Sequence, residues 1–189
     1  MKWIDLFCSY CLKMGYVTED RIPWLRYAIQ KKFVVFLIAI PFLIAGVLLS
    51  SISTACAFLF SFYFLRVRTN GFHAKNIWSC FFISLVSEII FLGILPYIMD
   101  NSHMTGLLFL SAIYIWVASP AKCANFVLTD NEIKACAIGA KIRMLIIVSA
   151  WLIFHTLNNT QISEGLAFGM IMTACGLAAA KINYKGEYL

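Results

Sequence analysis

The chain has 189 residues, of which 62% are hydrophobic and 13% charged, and its mean hydropathy is +0.85. A soluble domain has roughly half apolar and about a quarter charged residues, so this composition excludes a water-soluble globule and makes the bilayer the solvent for most of the chain. The net charge of +6 calls for no nucleic acid, because basic residues at membrane boundaries lie against anionic headgroups and no aromatic-interleaved basic patch occurs elsewhere.

Residues 1–32 read as cytoplasmic or interfacial helices. Trp3, Phe7, Tyr10, Cys11 and Met14 recur at helical spacing, with Lys2, Asp5, Ser9 and Lys13 on another face. This is the pattern of a helix lying in the membrane interface, and Gly15 is its expected stop. A cap packed on the inner loops is the alternative. A second helical segment runs from about Thr18 to Lys32, with Pro23 in its early turns. Charges throughout the first thirty residues leave no apolar run of the signal-peptide kind.

The apolar segments follow. Phe33 to Leu65 is too long for one crossing of about 20 residues, and Ser50, Ser51 and Ser53 interrupt it, so it reads as a two-span hairpin. Residues 66–76 form an inner loop. Four further spans are expected within 77–180: Ile77 to Met99, Met104 to Ser119, Ile142 to Leu157 and Ile162 to Ala180. Short polar breaks at residues 100–103 and 158–161 separate them, and 181–189 is a tail. All 15 Lys and Arg fall on one side of this six-span arrangement. The positive-inside rule then puts both termini and the two longer loops in the cytoplasm. The expectation is therefore an all-α, multi-pass membrane protein of about six transmembrane helices, forming a single integral-membrane domain.

Seven cysteines do not suggest a disulfide framework in such a protein. Cys56 and Cys175 lie inside spans, where a free thiol ordinarily behaves as a small buried hydrophobe. Cys8-x-x-Cys11 lacks the second pair that a structural zinc site wants, and packing explains it better. No metal and no cofactor is called for.

Of the three histidines, only His73 is expected on the inner side. It lies in Arg66-Val-Arg68-Thr-Asn70-Gly71-Phe72-His73-Ala-Lys75, and Cys80 follows seven positions later in the first turns of the third span. Nucleophilic catalysis by cysteine needs a thiolate and a nearby imidazole to take and return a proton. A thiol near a helix N-terminus, with Asn76 as a candidate cap and Arg66, Arg68 and Lys75 nearby, is biased toward the anion. A continuous helix over 73–80 would separate the two residues by about 10 Å. Pairing therefore requires a turn over 71–76, for which Gly71 supplies the conformational freedom. On spacing alone, a solvated loop histidine accounts for His73 as well as catalysis does.

The segment Arg66-x-Arg68-x-x-Gly71-Phe72-His73-Ala74, followed by Cys80, resembles the accessory gene regulator B (AgrB) family of Gram-positive bacteria. Length, helical N-terminal region, six spans and the inner position of the motif agree with it, as does Pro120 in the second inner loop. That loop lacks the Pro-rich, strongly basic run expected next, and Asn70 stands where the first glycine of a pair is usual. The resemblance implies a membrane cysteine endopeptidase in quorum sensing. It removes the C-terminal tail of an AgrD-like propeptide, holds the peptide as a Cys80 thioester and lets a peptide Cys or Ser close a thiolactone or lactone ring, the autoinducing peptide. Carried over, Cys80 is the nucleophile and His73 the general base and acid. The propeptide and the lipid bilayer are the implied partners, and the family also suggests a homodimer.

Weaker assignments as substrate-binding or supporting residues go to Arg66 and Arg68, which otherwise serve as headgroup anchors, to Gly71, and to Glu88, an acidic residue well inside an apolar span and so a functional candidate. Asp130 and Glu132 read as solvated loop residues. A transporter of small molecules or peptides is the rival. It would want paired polar residues at mid-membrane and internal repeats, and neither stands out.

Overall fold

The computed structural model describes residues 2–70, 77–99, 101–121 and 130–183. Every regular element among them is helical. The chain divides into two compact units, Met1–Pro41 and Phe42–Leu189.

In the first unit, α1 (Lys2–Lys13) ends at Gly15, whose φ of 71° opens a left-handed cap. The Tyr16 N–H reaches the Cys11 carbonyl and the Gly15 N–H the Leu12 carbonyl, each at 3.0 Å, the paired bonds of a Schellman stop. The buried stripe of α1 is Ile4, Cys8 and Cys11, whereas Phe7, Tyr10 and Met14 are exposed. Of the apolar face expected in the membrane interface, Phe7, Tyr10 and Met14 are exposed and Cys11 is buried. Small thiols at helical spacing permit close approach, and the bulky aromatics are left outside. Asp5 pairs with Arg26 at 2.8 Å, both about half exposed, a contact of fractional worth at such exposure.

A short 3-10 turn, Glu19–Arg21, leads into α2 (Ile22–Leu49), with Pro23 in its first turn and Pro41 inside it. The predicted hairpin break falls at Ser50 and Ser51. Ser50 Oγ donates to the Gly46 carbonyl at 2.8 Å, closing α2. Ser51 is extended (φ −130°, ψ 161°) and its hydroxyl accepts the Thr54 N–H at 3.2 Å, capping α3 (Ile52–Thr69), as N-terminal serines do. Ser53 lies within α3.

The third expected span is α4 (Ile77–Glu88), a π-helical turn (Ile89–Ile94) and α5 (Leu95–Ile98). Pro96 explains the widened turn: without an N–H it cannot bond the carbonyl of Leu92, and the ladder must readjust. Next come α6 (Asn101–Ala118), α7 (Asp130–Thr156) and α8 (Thr160–Asn183). α7 starts twelve residues before the expected span at Ile142. Asp130 and Glu132 therefore belong to its first helical turn, where acidic side chains suit the helix dipole.

The α7–α8 turn uses two asparagines differently. Asn158 takes the left-handed conformation (φ 54°) that ends α7. Asn159 accepts the Ile162 N–H at 3.2 Å and caps α8.

Three described segments are long and apolar enough to cross a bilayer: Phe81–Ile98, Asp130–Thr156 and Thr160–Ile182. Ala39–Leu49 and Ser102–Ala118 are shorter apolar helices, and α3 carries Arg66 and Arg68 in its last turn. Leu110, Ile113, Val117, Leu145, Leu152 and Ile153 are exposed, a density of outward apolar side chains that water does not tolerate and lipid does.

The core of the second unit is built around α8, two-thirds of whose span is buried, against 22% for α7 and 11% for Phe81–Ile98. Phe58 and Leu65 of α3, Leu108 and Ile115 of α6, Ile147 and Trp151 of α7, and Phe168, Met170 and Leu177 of α8 meet there. Gly165 and Gly169 bring α8 onto the backbone of α3. A Cβ at Gly165 would run into the Thr54 carbonyl, and one at Gly169 into the Phe58 carbonyl and the Ser61 side chain. Ser61 Oγ donates across this contact to the Leu166 carbonyl at 3.0 Å. Glycines four apart, joined by interhelical hydrogen bonding, are how helices associate where no hydrophobic force distinguishes protein from lipid.

Candidate active site

The candidate site lies where α3 ends and α4 begins. α3 stops at Thr69 because Asn70 adopts φ 54°, ψ 52°, a conformation that glycine takes freely and asparagine better than other residues. This accounts for Asn70 standing at a position where glycine is the usual residue. Gly71, His73 and Asn76, with the turn required over 71–76, lie outside the described residues.

Cys80 is the fourth residue of α4 as described. Its backbone is helical there.

The arginines of α3 are seated by neighbouring helices. A Cβ at Gly139 of α7 would lie 3.2 Å from Arg68 Cδ and 3.3 Å from its Nε, and one at Gly176 of α8 would lie 3.1 Å from Arg66 Nη1. Both glycines thus leave room for an arginine side chain to cross the helix surface. Arg66 also lies over the Phe62 ring at 5.9 Å. Arg143 of α7 joins them: its Nη1 donates to the Phe64 carbonyl at 2.7 Å and its guanidinium stacks over the Phe64 ring at 4.7 Å. Sequence reading named Arg66 and Arg68 but not Arg143, Gly139 or Gly176, since nothing local to those positions signals the contact.

The segment after α6 touches the same end. Directly after the cis Ser119–Pro120 bond, the Ala121 N–H donates to the Thr69 carbonyl at 2.9 Å.

Glu88 is elsewhere. It ends α4, eight residues and about 12 Å of helix beyond Cys80. Its side chain is fully buried, with neither carboxylate oxygen hydrogen-bonded. Oε1 lies 3.2 Å from where a Cβ on Gly46 of α2 would be, beside Ala55 and Leu92. The structure therefore gives Glu88 a packing environment and no partner.

Among the other described thiols, Cys136 is half-buried. Cys8 and Cys11 are buried, whereas Cys56 and Cys175 are exposed. The last pair departs from the expected burial, because the faces of α3 and α8 that carry them look outward.

A family profile described as Accessory gene regulator B (AgrB) matches residues 7–177. The chain belongs to the AgrB family. The match takes in Arg66, Arg68, His73, Cys80, Glu88 and Pro120, and it extends through three-quarters of α8 to Leu177. No curated protein and no solved structure matches. AgrB membership implies a part in agr quorum-sensing peptide processing with an AgrD propeptide as substrate, and with the three apolar helices it supports location in the membrane.

Proposed function

We propose that this AgrB protein is a cysteine endopeptidase that removes the C-terminal tail of an AgrD-like propeptide and promotes ring closure of the remaining peptide. The observation that carries the reading is the family match, which spans both His73 and Cys80. Cys80 follows His73 by seven residues and lies on a helix, which supports reading the two as nucleophile and base.

The chemistry proceeds in two transfers. His73 takes the Cys80 thiol proton, and the sulfur attacks the scissile carbonyl. The C–N bond breaks, His73 returns the proton to the departing amine, and the tail leaves. The N-terminal part stays on Cys80 as a thioester. A Cys or Ser side chain of that peptide then attacks the same carbonyl, a thiolactone or lactone forms, and Cys80 regains its proton. The thioester retains the energy of the cleaved bond, so cyclisation needs no nucleotide. Exclusion of water favours the ring over hydrolysis, and a membrane-boundary site supplies that exclusion. The distribution of Lys and Arg supports a cytoplasmic position for both termini, the 66–76 loop and the site. Arg66 and Arg68 serve as anionic-substrate contacts in this reading.

Purified protein in lipid vesicles tests it with a panel of AgrD-like propeptides. Wild type releases a C-terminal fragment, and Cys80→Ala and His73→Ala release none. Cleavage that survives Cys80→Ala removes the proposal.

A further inference from the structure

The end of α3 and the segment after α6 meet in a seam that the two-residue chemistry leaves unused. Thr69 is fully buried, and its carbonyl holds the Ala121 N–H at 2.9 Å. Thr69 itself and Ser119, two residues before Ala121, carry hydroxyls, Thr69 Oγ1 and Ser119 Oγ, that are buried and have no hydrogen-bond partner among the described residues. Buried polar atoms are nearly always paired, and one left desolvated without a partner is destabilising.

Serine and threonine in helices ordinarily escape this by donating to a carbonyl three or four residues back. Ser50, Ser87, Thr156 and Thr173 do so here, at 2.8–2.9 Å. Thr69 and Ser119 follow helical turns of the same kind and make no such bond. Their hydroxyls make no bond to the local acceptor, and the Thr69–Ala121 bond joins the two chain segments that carry them. The seam therefore brings together two hydroxyl donors, a main-chain N–H and a main-chain carbonyl. An extended peptide presents the complement, with carbonyl and N–H groups alternating along its length.

We infer that the seam between Thr69 and Ser119–Ala121 opens to take the main chain of an extended segment of the peptide substrate. The inserted segment replaces the Ala121–Thr69 bond with its own pair of bonds, accepting from Ala121 N–H and donating to the Thr69 carbonyl. Its remaining carbonyls accept from the Thr69 and Ser119 hydroxyls. Recognition of main chain in this way is indifferent to side-chain sequence, and Thr69 precedes His73 by four residues. The inference rests on the peptidase reading, which supplies the peptide. Thr69 and Ser119 are positioning residues in it.

The test uses the full-length double variant Thr69→Val/Ser119→Ala in lipid vesicles, with the AgrD-like propeptide that wild type cleaves best. Steady-state cleavage is measured, together with equilibrium binding of the same propeptide in a Cys80→Ala background. KM and the dissociation constant should each rise about tenfold, while kcat changes far less. The thermal midpoint should not fall, because no native hydrogen bond is removed. Thr69→Ser, which keeps the hydroxyl, should bind as the parent does. Unchanged KM and dissociation constant overturn the inference, and so does a midpoint several degrees lower, which would mean that the hydroxyls hold the fold. Failure of the peptidase reading looks different: cleavage then survives Cys80→Ala whatever the seam variants do. Wild type that binds no propeptide overturns both.

Discussion

α8 and α4 are both apolar on every side, yet the protein uses them in opposite ways. α8 is two-thirds buried, whereas the Phe81–Ile98 segment that contains most of α4 is 11% buried. Hydrophobicity does not separate them. Size does: α8 carries Gly165, Ala167, Gly169, Ala174 and Gly176, and α4 carries Trp78, Phe81, Phe82, Ile83 and Val86. In water the apolar face of a helix is the buried face. In lipid every apolar face is equally content outside, and the helix that goes to the centre is the one whose small residues let neighbouring backbones approach. The one acidic residue of α4, Glu88, is fully buried.

This contrast is most strongly challenged at Gly169. Gly169→Val places atoms against the Phe58 carbonyl and the Ser61 side chain, and it should destabilise the protein by about 3 kcal/mol or prevent folding. Val86→Leu, at an exposed position of α4, should change stability by less than about 0.5 kcal/mol. Unfolding of both variants in the same detergent decides the matter, and equal effects would erase the distinction between the two helices. A smaller effect is expected at Glu88, where the polar group has no partner to lose. Glu88→Leu should be neutral or stabilise by about 1 kcal/mol. A loss of several kcal/mol on the same unfolding scale would show that the carboxyl holds α4 inward.

Much of this architecture is legible in the sequence, for identifiable reasons. Helix breaks are carried by local chemistry: Ser50-Ser51 closes one helix and caps the next, Gly15 and Asn158 take left-handed stops, and Asn159 caps α8. Such signals act within four residues and survive any tertiary context. The buried stripe of α1, Ile4, Cys8 and Cys11, was not legible beside the bulkier Phe7, Tyr10 and Met14 expected in the membrane interface, because only packing reveals it. That α7 already includes Asp130, Glu132 and Lys134 was hidden because their polarity resembles that of loop residues. The centrality of α8 was present in its glycine spacing and went unread.

At the candidate site, His73, Cys80, Arg66 and Arg68 were named from residue type and spacing. The seats that Gly139 and Gly176 provide, the Arg143–Phe64 contact and the Thr69–Ala121 seam depend on chain segments far apart in sequence, and no local pattern announces them. Asn70 is the intermediate case. It looked like a departure from a glycine pair, and its φ of 54° shows the conformational demand that both residues meet.

The central claim is that Cys80 carries the peptide. Intact-mass analysis of the protein, quenched in acid within the first turnover with an AgrD-like propeptide, tests this most directly. The account predicts an adduct equal to the N-terminal peptide fragment, located on Cys80, cleaved by hydroxylamine and absent in Cys80→Ala. Product formation with no adduct at any time, or an adduct on another residue, would contradict it.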